Sequence, residues 1–193
     1  MKIIGAVSNS KWGWGKESLK KMLRLLLALQ VFVTLTSTEL TLSEEASSTF
    51  LREHNRLRAD AVPMSPLQWS EGLAHYAASR ANLCIYQHDP ARRYGENLYR
   101  TSRTVDDVTG AGAASEAWGA ELHDVDSQWA CAYGRTSRTC GHYSQQVWRT
   151  TSHVGCAVRR CAGGTLVVCE YSPRGNVMGY DRTTGRLVFT PPY

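Results

Sequence analysis

The chain has 193 residues, a length typical of one domain plus a processed leader, and it carries a formal net charge of +5. Residues 1–42 hold six basic and two acidic side chains, so the rest of the chain is nearly neutral. A nearly neutral body removes the main electrostatic argument for a nucleic-acid partner. Every lysine precedes residue 22, which excludes lysine-dependent catalysis in the body.

Residues 1–42 are predicted to be a leader that contains a signal peptide. Basic residues at 20–24 lead into a hydrophobic segment at about residues 23–36. This segment is shorter than the roughly 20 apolar residues that span a bilayer, but it fits a secretory signal. We therefore predict an extracellular, secreted protein with a single domain over residues 43–193 that includes a short C-terminal extension. A retained signal anchor is the alternative.

The spacing of apolar residues predicts four helices in the body. Ser47 or Ser48 is expected to cap the first helix and Ser70 the second, while the acidic pair Asp106 and Asp107 lies in the first turn of the third. The predicted helices cover residues 49–59, 70–83, 104–122 and 142–149.

Two runs rich in β-forming residues follow, at 154–160 and 165–171, and residues 161–164 between them are typical of a hairpin turn. Residues 95–100 are a further predicted strand. Helices around a small sheet favour an α+β fold, which we predict to be a three-layer α-β-α sandwich with a small central antiparallel sheet flanked by about four helices.

All six cysteines lie in the body, an even number in a chain predicted to enter an oxidising compartment. No Cys-x-x-Cys is present, which argues against a zinc ribbon or a thioredoxin-like redox site. Three disulfides are therefore expected. Spacing alone leaves 15 pairings open.

The most specific motif is Gly-His-Tyr-Ser-Gln-Gln-Val-Trp at residues 141–148. It resembles the signature of the CAP superfamily, which contains cysteine-rich secretory proteins, insect venom antigen 5 and plant pathogenesis-related group-1 proteins. The resemblance extends from about Phe50 to Tyr180. It includes residues 54–58, 67–69, 95–98 and 169–176. In the last stretch, Glu170 stands where the family usually has asparagine.

The resemblance implies a cavity tetrad of two histidines and two glutamates, namely His88, Glu96, Glu121 and His142. Such a set suits a buried polar network, a weak zinc site with His88 and His142 as ligands, or general acid–base chemistry. We place the network ahead of metal binding, and metal binding ahead of hydrolysis. No cofactor is expected to be required.

The order of the cysteines is similar to that of the six-cysteine plant group-1 proteins. This resemblance implies the pairs Cys84–Cys161, Cys131–Cys140 and Cys156–Cys169.

In the family, the loop that matches residues 131–140 belongs to a segment associated with sterol binding. The resemblance therefore implies an extracellular, non-catalytic protein that binds a sterol or another lipid, with a role in defence or host interaction. Trp129 and Tyr133 are the candidate lining residues, because a ligand site usually combines an apolar cleft with a few polar groups.

Two other functions are kept open. A metal-dependent hydrolase or protease would use the tetrad, although His-Glu-x-x-His is absent from the sequence. A protein-interaction module would instead present loops to a protein partner or a membrane surface. We expect a monomer.

Overall fold

The computed structural model describes residues 17, 20–25, 42–133, 136–189 and 191–193. The chain divides into two units, Met1–Glu39 and Leu40–Tyr193. In the first unit, residues 17 and 20–25 are helical, and most of the predicted hydrophobic segment lies outside the described residues. Among the described residues, no helix is long and apolar enough to cross a bilayer.

Helices α1 (Glu44–Ala61) and α2 (Glu71–Ala81) begin at serine caps. The hydroxyl of Ser43 accepts a hydrogen bond from the Ala46 N–H at 3.2 Å, so α1 starts five residues before the predicted boundary. Glu44 and Glu45 in the first turn favour this earlier start, since negative charge is stabilised at a helix N-terminus. Ser70 caps α2 as predicted.

Helix α3 (Asp107–Ala120) is capped by Asp106 and continues into a 3-10 helix at Glu121–Asp124. A second 3-10 helix covers Ala130–Tyr133. Helix α4 (Gly141–Gln146) is shorter than predicted.

The main sheet has four strands in the order β1-β3-β4-β2. The strands are β1 (Gln68–Trp69), β2 (Gly95–Thr101), β3 (His153–Cys161) and β4 (Gly164–Ser172). Strand β1 runs parallel to β3, so the prediction of an antiparallel sheet was wrong at this edge. A two-residue strand is too short to produce a detectable alternation of apolar residues.

The C-terminal extension also forms structure. Strands β5 (Met178–Asp181) and β6 (Arg186–Phe189) pair into a separate antiparallel sheet. The N–H of Arg149 donates to the carbonyl of Pro192 at 2.7 Å. The extension is therefore attached to the domain close to the end of α4.

Alternate residues of β4 face the two sides of the main sheet. Leu166 and Val168 pack with Ala77 and Ala81 of α2, which define the α2 face. Val167, Cys169 and Tyr171 pack with residues of α1 and α3 on the opposite face. Helices thus cover both faces, which makes the three layers of the sandwich.

Three disulfides join the cysteine pairs that the resemblance implied. Cys84–Cys161 ties the loop after α2 to the end of β3. Cys131–Cys140 joins two cysteines that are nine positions apart in the sequence. Cys156–Cys169 joins directly paired positions of β3 and β4.

Candidate functional site

The first pair of the tetrad lies at the start of β2. Nδ1 of His88 is 2.8 Å from Oε1 of Glu96, and the main-chain N–H of Asp89 donates to the same oxygen at 3.0 Å. Arg80 of α2 donates to the other oxygen at 3.4 Å. The carboxylate is almost completely buried, whereas 65% of the His88 side chain is exposed. The buried carboxylate of Glu96 therefore holds the His88 imidazole, which is exposed to solvent.

These contacts decide the protonation of Glu96. Burial acts to raise its pKa, but the hydrogen bonds from His88 and Asp89 and the positive charges nearby outweigh burial, so the pKa is lowered. Glu96 is thus ionised at neutral pH and can orient the His88 ring.

The second pair joins the 3-10 helix that follows α3 to α4. Nδ1 of His142 is 2.6 Å from Oε1 of Glu121, and the other oxygen accepts from the main-chain N–H groups of His142 and Tyr143. Glu121 therefore also caps the N-terminus of α4. The His142 ring stacks on Trp118 with a centroid distance of 6.1 Å. This imidazole is held on two sides.

A buried hydrogen-bonded chain connects the second pair to the core. The side-chain amide of Asn97 donates to the carbonyl of His142 and to the Tyr171 hydroxyl. Tyr171 lies 2.8 Å from Nε2 of His54, whose Nδ1 faces the Phe50 carbonyl. Burial lowers the pKa of His54 to about 4, so the ring is neutral, with Nδ1 donating and Nε2 accepting. His54 is therefore a satisfied core residue.

The four residues of the tetrad thus come together as two histidine–glutamate pairs rather than as one ligand cluster. Within the part of the chain that the structure describes, no group of three or more His, Cys, Asp or Glu side chains is placed to hold a metal ion. The donor chemistry still suits zinc in part, because each glutamate holds Nδ1 of its histidine and leaves Nε2 as the nitrogen for a ligand.

Glu170, on the α2 face, is the residue of this site that sequence reasoning missed. It is directly opposite Glu96 on the neighbouring strand and only 1% exposed. Burial, and then the negative charge of Glu96, raise the pKa of Glu170 to about 9, so it is protonated and hydrogen-bonded to Glu96 at neutral pH. Its Oε1 is buried without a hydrogen-bond partner in the described structure. The departure from the family's asparagine was the only signal in the sequence.

Trp129, which was predicted to line a ligand cleft, is mostly buried. Its indole is only 8% exposed, stacks on Tyr143 and meets the Tyr193 ring edge-on at 5.4 Å. Trp129 belongs to a buried cluster with Leu57 and Val147, against which Tyr193 of the C-terminal extension packs. The backbone of Tyr133 lies in the second 3-10 helix, and its side chain lies outside the described residues.

A groove of about 560 Å³ lies between α1 and α3. Its α3 side has small residues, among them Gly112, Ser115 and Gly119. The Ser115 hydroxyl is buried and has no hydrogen-bond partner among the described residues. A Cβ atom at Gly112 would meet nothing within 4 Å, which marks free space there. Leu57 and Leu122 are among the apolar residues of the lining. Its charged residues are two arginines and two glutamates, namely Arg52, Arg56, Glu53 and Glu116.

Comparison with known proteins agrees with this architecture. The model of the cysteine-rich secretory protein (CAP) family matches residues 51–171. A pathogenesis-related protein of the PR-1 type from Sambucus nigra is 36% identical, over 79% of this chain and 91% of the relative. Pathogenesis-related protein 1B from Nicotiana tabacum is 40% identical, over 71% of this chain and 80% of the relative.

Among solved structures, the crystal structure of NaASP2 with Zn2+ is similar, with a TM-score of 0.67 and 32% identity. The match covers 74% of this chain and 87% of NaASP2. Motifs, fold, disulfides and relatives agree, and the chain belongs to the cysteine-rich secretory protein (CAP) family.

Proposed function

We propose that the chain is a secreted, non-catalytic protein that binds a sterol or a similar rigid lipid in the groove between α1 and α3, with a role in defence or host interaction. The proposal rests on the groove, whose lining includes Ser115, a residue with a buried hydroxyl that has no hydrogen-bond partner among the described residues. A sterol combines one hydroxyl with a rigid apolar body. It could satisfy Ser115 while its rings cover the apolar lining.

The size and shape of the groove support this class of ligand. Its volume falls within the roughly 300–1,000 Å³ that is usual for small-molecule sites. Free space at Gly112 opens one part of the groove, whereas a Cβ at Gly119 would lie 3.1 Å from Leu57, so the helices approach closely there. The Cys131–Cys140 loop remains the alternative location, on the resemblance stated above.

Radiolabelled cholesterol binding to the oxidised Leu40–Tyr193 unit tests the proposal. Gly112→Leu should fill part of the groove and reduce binding at least tenfold, since a Cβ at this position meets nothing within 4 Å. Ser115→Ala should weaken binding about fivefold, the value of one neutral hydrogen bond. Gly163→Leu is the matched control, because a Cβ there also meets nothing within 4 Å and the residue lies in the exposed β3–β4 turn.

Saturable binding that survives Gly112→Leu would contradict the groove and favour the loop. A negative result across sterols and fatty acids would contradict lipid binding as a whole.

We further propose weak zinc binding by Nε2 of His88 and His142 as a second property. NaASP2, which is similar to this chain, has been crystallised with Zn2+. A bound zinc ion would supply Lewis acidity, while Glu96 and Glu121 would orient the two imidazoles. Calorimetric titration with Zn2+ should show weak binding that His142→Ala abolishes, and that His123→Ala, in the nearby 3-10 helix, leaves intact. Heat that is unchanged in His142→Ala would contradict this assignment.

A further inference from the structure

An exposed apolar patch lies directly after α2. Leu83, Ile85 and Tyr86 are 54%, 52% and 52% exposed. Single exposed apolar residues are common on protein surfaces, but three large ones within four positions concentrate apolar surface in one loop, as is typical of a contact site.

The loop that carries these side chains is firmly held. Cys84 lies between them and is bonded to Cys161 at the end of β3. The main-chain N–H groups of Leu83 and Cys84 donate to carbonyls of the last turn of α2, at 3.1 and 2.9 Å. The apolar side chains therefore stay exposed on a covalently anchored loop.

Arginine side chains lie on the sheet face next to this loop. Arg100 lies over the Tyr86 ring, with its guanidinium carbon 5.7 Å from the centroid. Arg100 and Arg159 are both register partners of Leu166, so both side chains lie on the α2 face of the sheet. Both are exposed. Glu96 and Glu170, the carboxyl groups that β2 and β4 place on this face, are buried, so the exposed charged side chains of β2, β3 and β4 on this face are arginines.

We propose that Leu83, Ile85 and Tyr86, together with Arg100 and Arg159, form a membrane-contact patch for a bilayer that contains anionic lipids. Leu83 and Ile85 insert into the boundary between headgroups and acyl chains. Tyr86 lies at headgroup depth, where aromatic rings with one polar end are favoured. The guanidinium groups bind lipid phosphates or carboxylates, and they favour a charged membrane over a second copy of this cationic face. The proposal is independent of the sterol groove.

The test is flotation of the oxidised Leu40–Tyr193 unit with vesicles of phosphatidylcholine, with and without phosphatidylserine. The protein should float with the anionic vesicles. Arg100→Gln and Arg159→Gln should each lower this partitioning about fivefold, since one basic side chain near an anionic surface contributes about 1 kcal/mol. Leu83→Ser combined with Ile85→Ser should lower it about tenfold or more.

Two variants are the matched controls. Met178→Ser removes another large apolar side chain that is 46% exposed, and Arg149→Gln removes an exposed arginine that precedes β3, at the other end of that strand. Both should float like the parent. Unchanged near-ultraviolet circular dichroism confirms that each variant is folded.

Equal flotation of the double-serine variant and the parent would overturn the proposal. So would a parent that fails to float but forms dimers that the double-serine variant loses, because the patch would then be a contact between copies. Cholesterol binding without vesicles should be unchanged in all the patch variants, which separates failure of the patch from failure of the groove.

Discussion

At residue 170, two carboxyl groups face each other across paired strands in a site closed to solvent. Ionising both of two adjacent buried carboxyl groups is costly. One of them therefore stays protonated in the folded protein. Glu96 keeps the charge because His88, Asp89 and Arg80 all donate to it. Glu170 keeps the proton.

This arrangement predicts a pH dependence of stability. An unfolded Glu170 ionises near pH 4.5, whereas the folded residue keeps its proton up to about pH 9. Unfolding therefore releases a proton between these values, and the contribution of Glu170 to stability, full below about pH 4.5, is lost as pH rises to about 9. Glu170→Gln removes this loss. As pH rises through this range, the free energy of unfolding of Glu170→Gln minus that of the parent should increase by up to ~1.4 kcal/mol per pH unit.

Urea denaturation at about pH 5 and about pH 8 measures the effect. Glu116→Gln, an exposed residue of α3, is the control and should follow the parent at both values. Parallel pH profiles of the parent and Glu170→Gln would show that Glu170 is ionised in the folded protein.

The sequence indicates single residues where the signal is local. Ser70 and Asp106 could be recognised as helix caps or first-turn residues because a cap contacts its own helix. The proton on Glu170 depends on which residue lies opposite on another strand, and the burial of Trp129 depends on Tyr193 far along the chain. Neither can be derived from neighbouring residues.

Among the elements, α1 is joined to the segment around α4 by one buried guanidinium. Arg58 is 1% exposed and donates to four main-chain carbonyls, those of Ser65, Gln146, Trp148 and Thr151. Burial lowers its pKa to about 10, so it remains charged at neutral pH. No carboxylate bonds to it among the described residues. The four carbonyl groups stabilise the charge instead.

We therefore expect Arg58→Met to reduce the free energy of unfolding by roughly 3–5 kcal/mol, because the carbonyls would stay buried without a donor. Chemical denaturation measures the loss. Arg52→Met on the same helix should change stability by less than about 0.5 kcal/mol, since its ion pair with Glu53 is exposed. Equal effects of the two substitutions would contradict a structural role for the buried guanidinium.

Most helices and strands could be predicted from the sequence, but their first and last residues were harder to predict. Helix α2 and the β3–β4 hairpin are close to prediction, because periodicity and flanking caps or turns agree there. Helix α1 begins earlier than predicted because Ser43, rather than Ser47 or Ser48, is its N-cap, and two glutamates follow in the first turn. Strand β1 and the β5–β6 pair are short segments whose pairing is set by tertiary contacts.

For the whole molecule, the order of helices and strands could be predicted from apolar spacing, caps and turns, whereas the disulfide pairing and the tetrad came from the family resemblance. The resemblance named four residues that the structure places in two histidine–glutamate pairs, but it did not indicate this pairing. It also did not reveal Arg58 or the cationic surroundings of the loop after α2, which depend on strand register.

The bond between Cys156 and Cys169 constrains the register in which strands β3 and β4 pair. It joins positions that already face each other in the β3–β4 ladder, so it forms correctly only when the two strands are aligned. A slip of one residue along β4 would move Glu170 to the face that holds Tyr171 and bring Leu166 and Val168 out of contact with α2. Once formed, the disulfide fixes the register of the hairpin and therefore the sheet face on which each of its side chains lies.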